Sequence, residues 1–346
     1  MYDPANTYTD LVARVGETHL RQRLTIQVDH AGELLGRGRT LMHIENAEWL
    51  MIFIYYSLKV SGLYPWARRN CLDIQCVEND VFLPTLPRAF DGFTLLHLSD
   101  LHLDIDPELT GAIVRRLQDV SYDLCVITGD FRASSSGSYN LALEYAAELV
   151  RHLKPPVYAI LGNHDFIEFV PPLEAAGYTF LLNETVVLER EGARLYLSGV
   201  DDPHFYETDN LHSTRQAIPA GAPSILLAHS PEIYRHAAAS GYDFMLSGHT
   251  HAGQICLPGR VHIQGNAKCP RYMIYGPWRH GGMQGYTSAG TGSCGVPAPF
   301  REARIVDGGR HALRHDPRAV AILLGWLDRQ RNAAASSRFT HPANLH

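Results

Sequence analysis

The chain has 346 residues, 45% of them hydrophobic, and a formal net charge of −6. That length and apolar content can bury a substantial core, as one large catalytic domain with appendages or as two domains, and they exclude a disordered chain. The acidic balance lacks the basic footprint of a phosphate-backbone binder, so no nucleic acid is expected as a dedicated partner, and six cysteines without a CxxC pair indicate neither a disulfide scaffold nor a zinc ribbon.

In chain order, the first 30 residues contain acidic groups and no apolar signal-peptide core, so a cytoplasmic location is the default expectation. Residues 1–90 are expected to form an N-terminal extension, mostly helical and packed on the core. Within it, residues 49–58 are the most apolar run of the chain, yet they fall short of the ~20 residues that span a bilayer. Two readings of this run stay open. One is a helix packed on the catalytic domain; the other is an interfacial anchor giving peripheral contact at the inner face of a membrane, favoured by Trp49, the tyrosines, Trp66 and Arg68-Arg69.

From residue 91 to 310 the pattern alternates strand, helix and loop. The runs 93–98, 124–128, 157–161, 225–228 and 244–246 are too short for helices and rich in β-formers, which predicts buried strands. Residues 107–120 and 140–153 carry apolar positions near helical spacing and read as sheet-covering helices. Further strands are expected at 194–197 and 304–306, with loops at 281–285 and 290–295. Residues 311–346 are expected to supply a C-terminal helix, around the apolar run 320–327, and a frayed tail.

Directly after the five buried runs come Asp100-Leu-His102, Gly129-Asp130, Gly162-Asn163-His164-Asp165, His229 and Gly248-His249-Thr250-His251. Alone, each piece is ordinary. An Asp after a strand often caps a loop, Gly-Asn often makes a turn, and most of the 19 histidines need no metal. Their shared strand-end position is what points to chemistry. Asp100 and His102 flank one residue, so in an extended segment they lie on one side of the chain and can grip one ion. A carboxylate such as Asp130 can bridge two cations held about 3.5–4 Å apart, the arrangement for in-line displacement at phosphorus. Asn163 offers an amide oxygen, and His229, His249 and His251 offer imidazoles that suit Mn, Fe or Zn better than Mg.

These motifs resemble the calcineurin-like metallophosphoesterase family over roughly residues 92–306. The resemblance implies an α/β (α+β) fold, a β-sandwich of two mixed sheets flanked by helices. It implies two divalent metal ions, one held by Asp100, His102, Asp130 and His251, the other by Asp130, Asn163, His229 and His249. His164 would face the scissile phosphate, with Asp165 orienting it. The combination of Ser99-Asp-Leu-His-Leu103, Gly162-Asn-His-Asp165, Gly199-Val-Asp-Asp202 and Gly248-His-Thr-His-Ala-Gly-Gln254 is more particularly similar to a bacterial, often membrane-associated branch. That branch includes phosphodiesterases and a UDP-2,3-diacylglucosamine pyrophosphohydrolase. The leader of about 90 residues without a full transmembrane span departs from both anchored and minimal members.

The expectation is therefore hydrolysis of a phosphodiester or pyrophosphate, on a lipid-linked or nucleotide substrate, by a hydroxide generated between the metals. His164 would stabilise developing charge or protonate the leaving oxygen, and Asp165 would keep its ring cationic or oriented. Alternatives are a protein or small-molecule phosphomonoesterase, and a metal-binding scaffold with the fold but no turnover. Arg132, Asp202 and His204 are candidate substrate contacts; Asp201-Asp202 suits a turn equally well, and for Arg132 a solvent-facing loop position is the plainer reading.

Overall fold

Four of the five short apolar runs form strands buried on both faces, and the fifth leaves only Tyr158 half-buried, which is why none shows the alternation of a half-solvated strand. The computed structural model describes residues 4–34, 55–134, 137–253, 256–257, 261–262, 267–292 and 307–314. The expected strand at 304–306, the apolar run 320–327 and the 49–54 part of the most apolar run lie outside these residues.

Two six-stranded mixed sheets face each other. The first follows the order β1 (Gln75–Phe82), β14 (Asp307–Arg314), β2 (Thr94–Leu98), β3 (Leu124–Ile127), β4 (Val157–Ala159), β5 (Thr179–Phe180). The second runs β12 (Gly276–His280), β13 (Met283–Thr287), β9 (Phe244–Ser247), β8 (Ser224–Leu227), β7 (Ala193–Gly199), β6 (Glu184–Arg190). Between β9 and β12 lies a small hairpin of β10 (Cys256–Leu257) and β11 (Val261–His262).

Alternate residues of each strand serve different layers. Leu95, Leu124, Val126, Leu197, Ile225, Leu227, Phe244 and Leu246 meet between the sheets. Leu96, Leu98, Cys125 and Ile127 point the other way, under α4 (Leu109–Leu117), α5 (Asn140–Val150) and α6 (Val170–Ala176). On the far side Tyr196, Leu226 and Met245 pack against α7 (Leu211–Gln216) and α8 (Tyr234–Ala239). The two-sheet sandwich flanked by helices is thus the observed fold.

Three details go beyond the expectations. The N-terminal extension carries helices, α1 (Pro4–Val15), α2 (Glu17–Leu34), a helical 55–60 and α3 (Tyr64–Leu72), and in addition a strand, β1, which pairs in parallel with β14. Strand β14 crosses the expected domain limit at residue 310, because it pairs with β2 at Gly309–Ala312 and with β1 as far as Arg314. The loop expected at 281–285 is a hairpin, with His280 opposite Met283 and only Gly281-Gly282 between them. Among the described residues no helix is long and apolar enough to cross a membrane.

Candidate metal centre

The carboxyl ends of β2, β3, β8 and β9, and the loop after β4, meet at one edge of the sandwich. There the chain turns sharply. Asp100, His102, Asp130, His249 and His251 all have positive φ, between 43° and 69°. This region is unfavourable for L-residues and persists only where surrounding contacts hold it. Those contacts are backbone bonds between the loops: Asp100 N–H to Gly129 O, His102 N–H to Asp130 O, and Gly292 N–H to Asp100 O. Two glycines permit the approach. A Cβ at Gly248 would collide with Ser99 Oγ and Asp100 Oδ2, and one at Gly162 with the Asp130 carboxylate.

The side chains form two clusters, Asp100 with His102 and His251, and Asp130 with His229 and His249, each with its ligand atoms within 4.8 Å of one another. In the first, His102 Nε2 stands 3.2 Å from His251 Nε2, which is 3.5 Å from Asp100 Oδ1. In the second, His229 Nε2 lies 3.3 Å from Asp130 Oδ2 and 2.8 Å from Asn163 Oδ1, and His249 Nδ1 is also 2.8 Å from Asn163 Oδ1. Donors at about 2.1 Å from a common ion stand roughly 3–3.4 Å apart, so these spacings suit shared ions. The tautomers fit as well. His102 Nδ1 donates to Arg132 O and His229 Nδ1 to Thr128 O, both at 2.7 Å, which turns each Nε2 toward its cluster as a ligand. Hydroxyls support Asp100 from behind: Thr128 Oγ1 donates to Ser99 Oγ, which donates to Asp100 Oδ2, and the His97 ring ends the chain on Thr128. Burial pushes His97 down to about 3, so it stays neutral.

The electrostatics call for positive charge. Burial alone would raise the Asp130 pKa, but His229, His164 and His102 hold it well below the usual carboxylate range. Burial likewise disfavours charged His229, and the Asp130 carboxylate overrides it, pushing His229 up to about 10. A proton there occupies the role a divalent cation would take.

Other candidates sit differently from expectation. His164 is beside the centre, one-quarter exposed, with its ring against His102 and Nε2 3.9 Å from Asp130 Oδ2. Desolvation pushes it down to about 4, so the ring is neutral rather than cationic. Asp165 does not orient that ring: its two oxygens accept backbone N–H groups of Asp130, Phe131 and Gly162, bracing the loops, while His164 Nδ1 has no hydrogen-bond partner. Asp202 takes the turn role, accepting from the N–H groups of His204, Phe205 and Tyr206. Arg132 is buried with its guanidinium over Phe166, 4.7 Å from the ring centroid, not solvent-facing. His204 alone of these three reaches the centre, its ring 4.1 Å from that of His249 and its Nδ1 donating to Glu232. Sequence reading missed Arg23, which reaches both the Asp165 and Asp201 loops from α2; its only signal is a polar stripe at every fourth position, His19, Arg23 and Gln27.

The calcineurin-like phosphoesterase family profile matches residues 93–253. The chain is 31% identical over 264 residues to an uncharacterized metallophosphoesterase of Bacillus subtilis, YkoQ, an alignment covering 71% of this chain and 94% of that protein. It is 28% identical over 258 residues to a second, YkuE, covering 70% and 88%. A zebrafish (Danio rerio) protein described as a transmembrane protein with metallophosphoesterase domain is 29% identical over 296 residues, covering 78% of this chain and 65% of its own length.

Two substitutions probe the geometry. Asp130→Asn keeps an acceptor for the His164 N–H but removes the charge facing both clusters; the protein is expected to keep its circular dichroism spectrum while losing bound metal and turnover. Full metal content and activity would exclude a bridging Asp130. His164→Ala, in contrast, should retain metal and lose about 10²–10⁴ in rate; metal loss would put His164 among the ligands.

Proposed function

The chain belongs to the calcineurin-like phosphoesterase family, and from that premise we propose that it hydrolyses a phosphodiester or pyrophosphate using two divalent ions. The observation that carries this reading is the pair of clusters at one sheet edge, each with donors within 4.8 Å of one another. Asp100, His102, His251 and a shared Asp130 would hold one ion; Asp130, Asn163, His229 and His249 would hold the other. The imidazole-rich donor set favours Mn, Fe or Zn over Mg. When bound, such ions neutralise charge on the phosphoryl oxygens and lower the pKa of water between them.

The protein's own groups do the rest. His164, neutral and partly exposed beside the centre, would donate an N–H to a phosphoryl or leaving oxygen instead of serving as a preformed acid. His204 would line the opposite side, steadied by Glu232. Arg23 and Arg132 are fully buried, so among the described residues the centre meets its substrate with imidazoles rather than guanidinium groups, which suits a singly charged diester better than a phosphomonoester dianion. Support for a lipid-linked substrate, with peripheral membrane contact, comes from the segment 55–66. Tyr56, Val60, Leu63 and Trp66 are exposed there, and Arg68 ties the following helix to Asp106 and Glu108, just beyond His102.

Purified protein is expected to cleave bis(p-nitrophenyl) phosphate in Mn²⁺, to lose the activity in EDTA, and to act poorly on phosphopeptides. Silence with several metals would favour a binding protein, and preference for phosphopeptides a phosphatase. For the lipid half, Val60→Asp places a charge on a side chain 89% exposed; it should release the protein from anionic vesicles without changing diester turnover. Wild-type protein that neither binds vesicles nor cleaves a lipid-linked phosphate would sink that half alone.

A further inference from the structure

Helix α2 presents His19, Arg23 and Gln27 along one face, four residues apart, toward the core. Arg23 is fully buried and makes three contacts. Its Nη1 donates to Asp201 Oδ1 at 2.6 Å, its Nη2 donates to the carbonyl of Asp165 at 2.9 Å, and its guanidinium stacks on Tyr206, 3.8 Å from the ring centroid. His19 Nε2 joins on the other Asp201 oxygen at 2.8 Å, and Gln27 accepts the N–H of Ile167 while donating to Glu168.

Both loops gripped in this way lead to one ion cluster. Asp165 lies two residues from Asn163, whose amide oxygen faces His229 and His249. On the other side Asp201 Oδ1 accepts the N–H of Asp202, the Asp202 carboxylate fixes the turn through 204–206, and the His204 ring from that turn lies against His249. The Asp100, His102, His251 cluster is reached one step further on, through the hold of Asp165 on the N–H groups of Asp130 and Phe131, whose carbonyls accept from His102 and Leu103.

We propose that Arg23 is a positioning residue for the reaction, a clamp from the N-terminal helices that holds the Asn163–His164 loop and the Asp201–His204 loop in register around the second ion. The proposal rests on the two-ion reading of the site. Because Arg23 is buried, it acts only through those loops. A guanidinium can serve a carboxylate, a carbonyl and an aromatic face at once, which the single ammonium of a lysine cannot.

The test compares Arg23→Met, Arg23→Lys, the double variant Arg23→Met with Asp201→Asn, and the control Arg14→Met. Arg14 bonds to Glu174, Glu184 and the Phe180 carbonyl, and to no residue of the Asn163–Asp165 or Asp201–His204 loops. For each, Mn²⁺ is titrated with binding followed directly by metal analysis, thermal unfolding is recorded, and kcat and KM are measured on bis(p-nitrophenyl) phosphate. Arg23→Met should weaken one of two Mn²⁺ sites and lower kcat by about ten- to a hundredfold with KM little changed, as expected for small misplacement of reacting groups. The double variant leaves no unpaired buried carboxylate at 201, so its melting temperature should recover while Mn²⁺ binding and kcat do not. Arg14→Met should lose stability alone. Wild-type kcat and two equal Mn²⁺ sites in the double variant, or in Arg23→Lys should the neutral variants fail to fold, would overturn the clamp. Wild-type protein that binds no Mn²⁺ and cleaves no diester would instead overturn the two-ion reading.

Discussion

Two carboxylates, Asp100 and Asp130, sit at the sheet edge almost wholly removed from water. A buried charge is tolerated only when it is paired and hydrogen-bonded, and the surrounding structure meets that requirement for both. Asp100 accepts from Ser99 Oγ and from the His249 N–H; Asp130 accepts from the His164 N–H and faces His229. Against its burial, the Asp130 carboxylate pushes His229 up to about 10, with Asp100 and Asp202 adding to the pull, so the pocket favours positive charge. Divalent ions are the stronger answer to the same field, and they would leave the imidazoles neutral as ligands.

Bringing the carboxylates and imidazoles this close has a backbone cost. Five of the converging residues adopt left-handed conformations, at about 1–3 kcal/mol each by the usual scale. The strands make it bearable. Parallel β2, β3, β8 and β9 end level with one another inside two apolar layers, so their loops can bond to each other instead of to water. Asp165 shows how far this goes: a carboxylate pushed up to about 6, first by burial and then by Asp130, is spent on holding three backbone N–H groups.

The strands and the two clusters were legible in the sequence because a doubly buried strand is a short unbroken apolar run, and a donor placed directly after it has a defined direction. What could not be read depends on the partner across space. In the sequence Asp165 reads as a partner of His164 and Asp202 as a substrate contact or, equally, a turn residue; the fold shows the oxygens of both taken by backbone amides. Strand β1 carries polar residues because it lies at a sheet edge, and its pairing with β14 spans more than two hundred residues, so no local pattern reports it. The Gly281-Gly282 turn was within reach, since two glycines between β-forming runs specify a tight hairpin.

Arg23 is the instructive omission. A helix with polar residues at every fourth position is ordinarily a solvated face, and nothing in residues 17–34 says otherwise. Once folded, that stripe is the inner face, and burying a guanidinium there is costly unless it is paired; Nη1 and Nη2 of Arg23 are, while its Nε has no hydrogen-bond partner. Its neighbour Arg14 makes the contrast: it pairs with two glutamates and the Phe180 carbonyl, but it does so at a partly exposed surface and touches neither loop that leads to the clusters. A helix needing only attachment could rest on Leu11 and Leu20, which already pack into the core. The fully buried cation beside Asp165 and Asp201 therefore reads as part of the centre's construction, and the N-terminal helices as a brace behind its loops rather than an appendage.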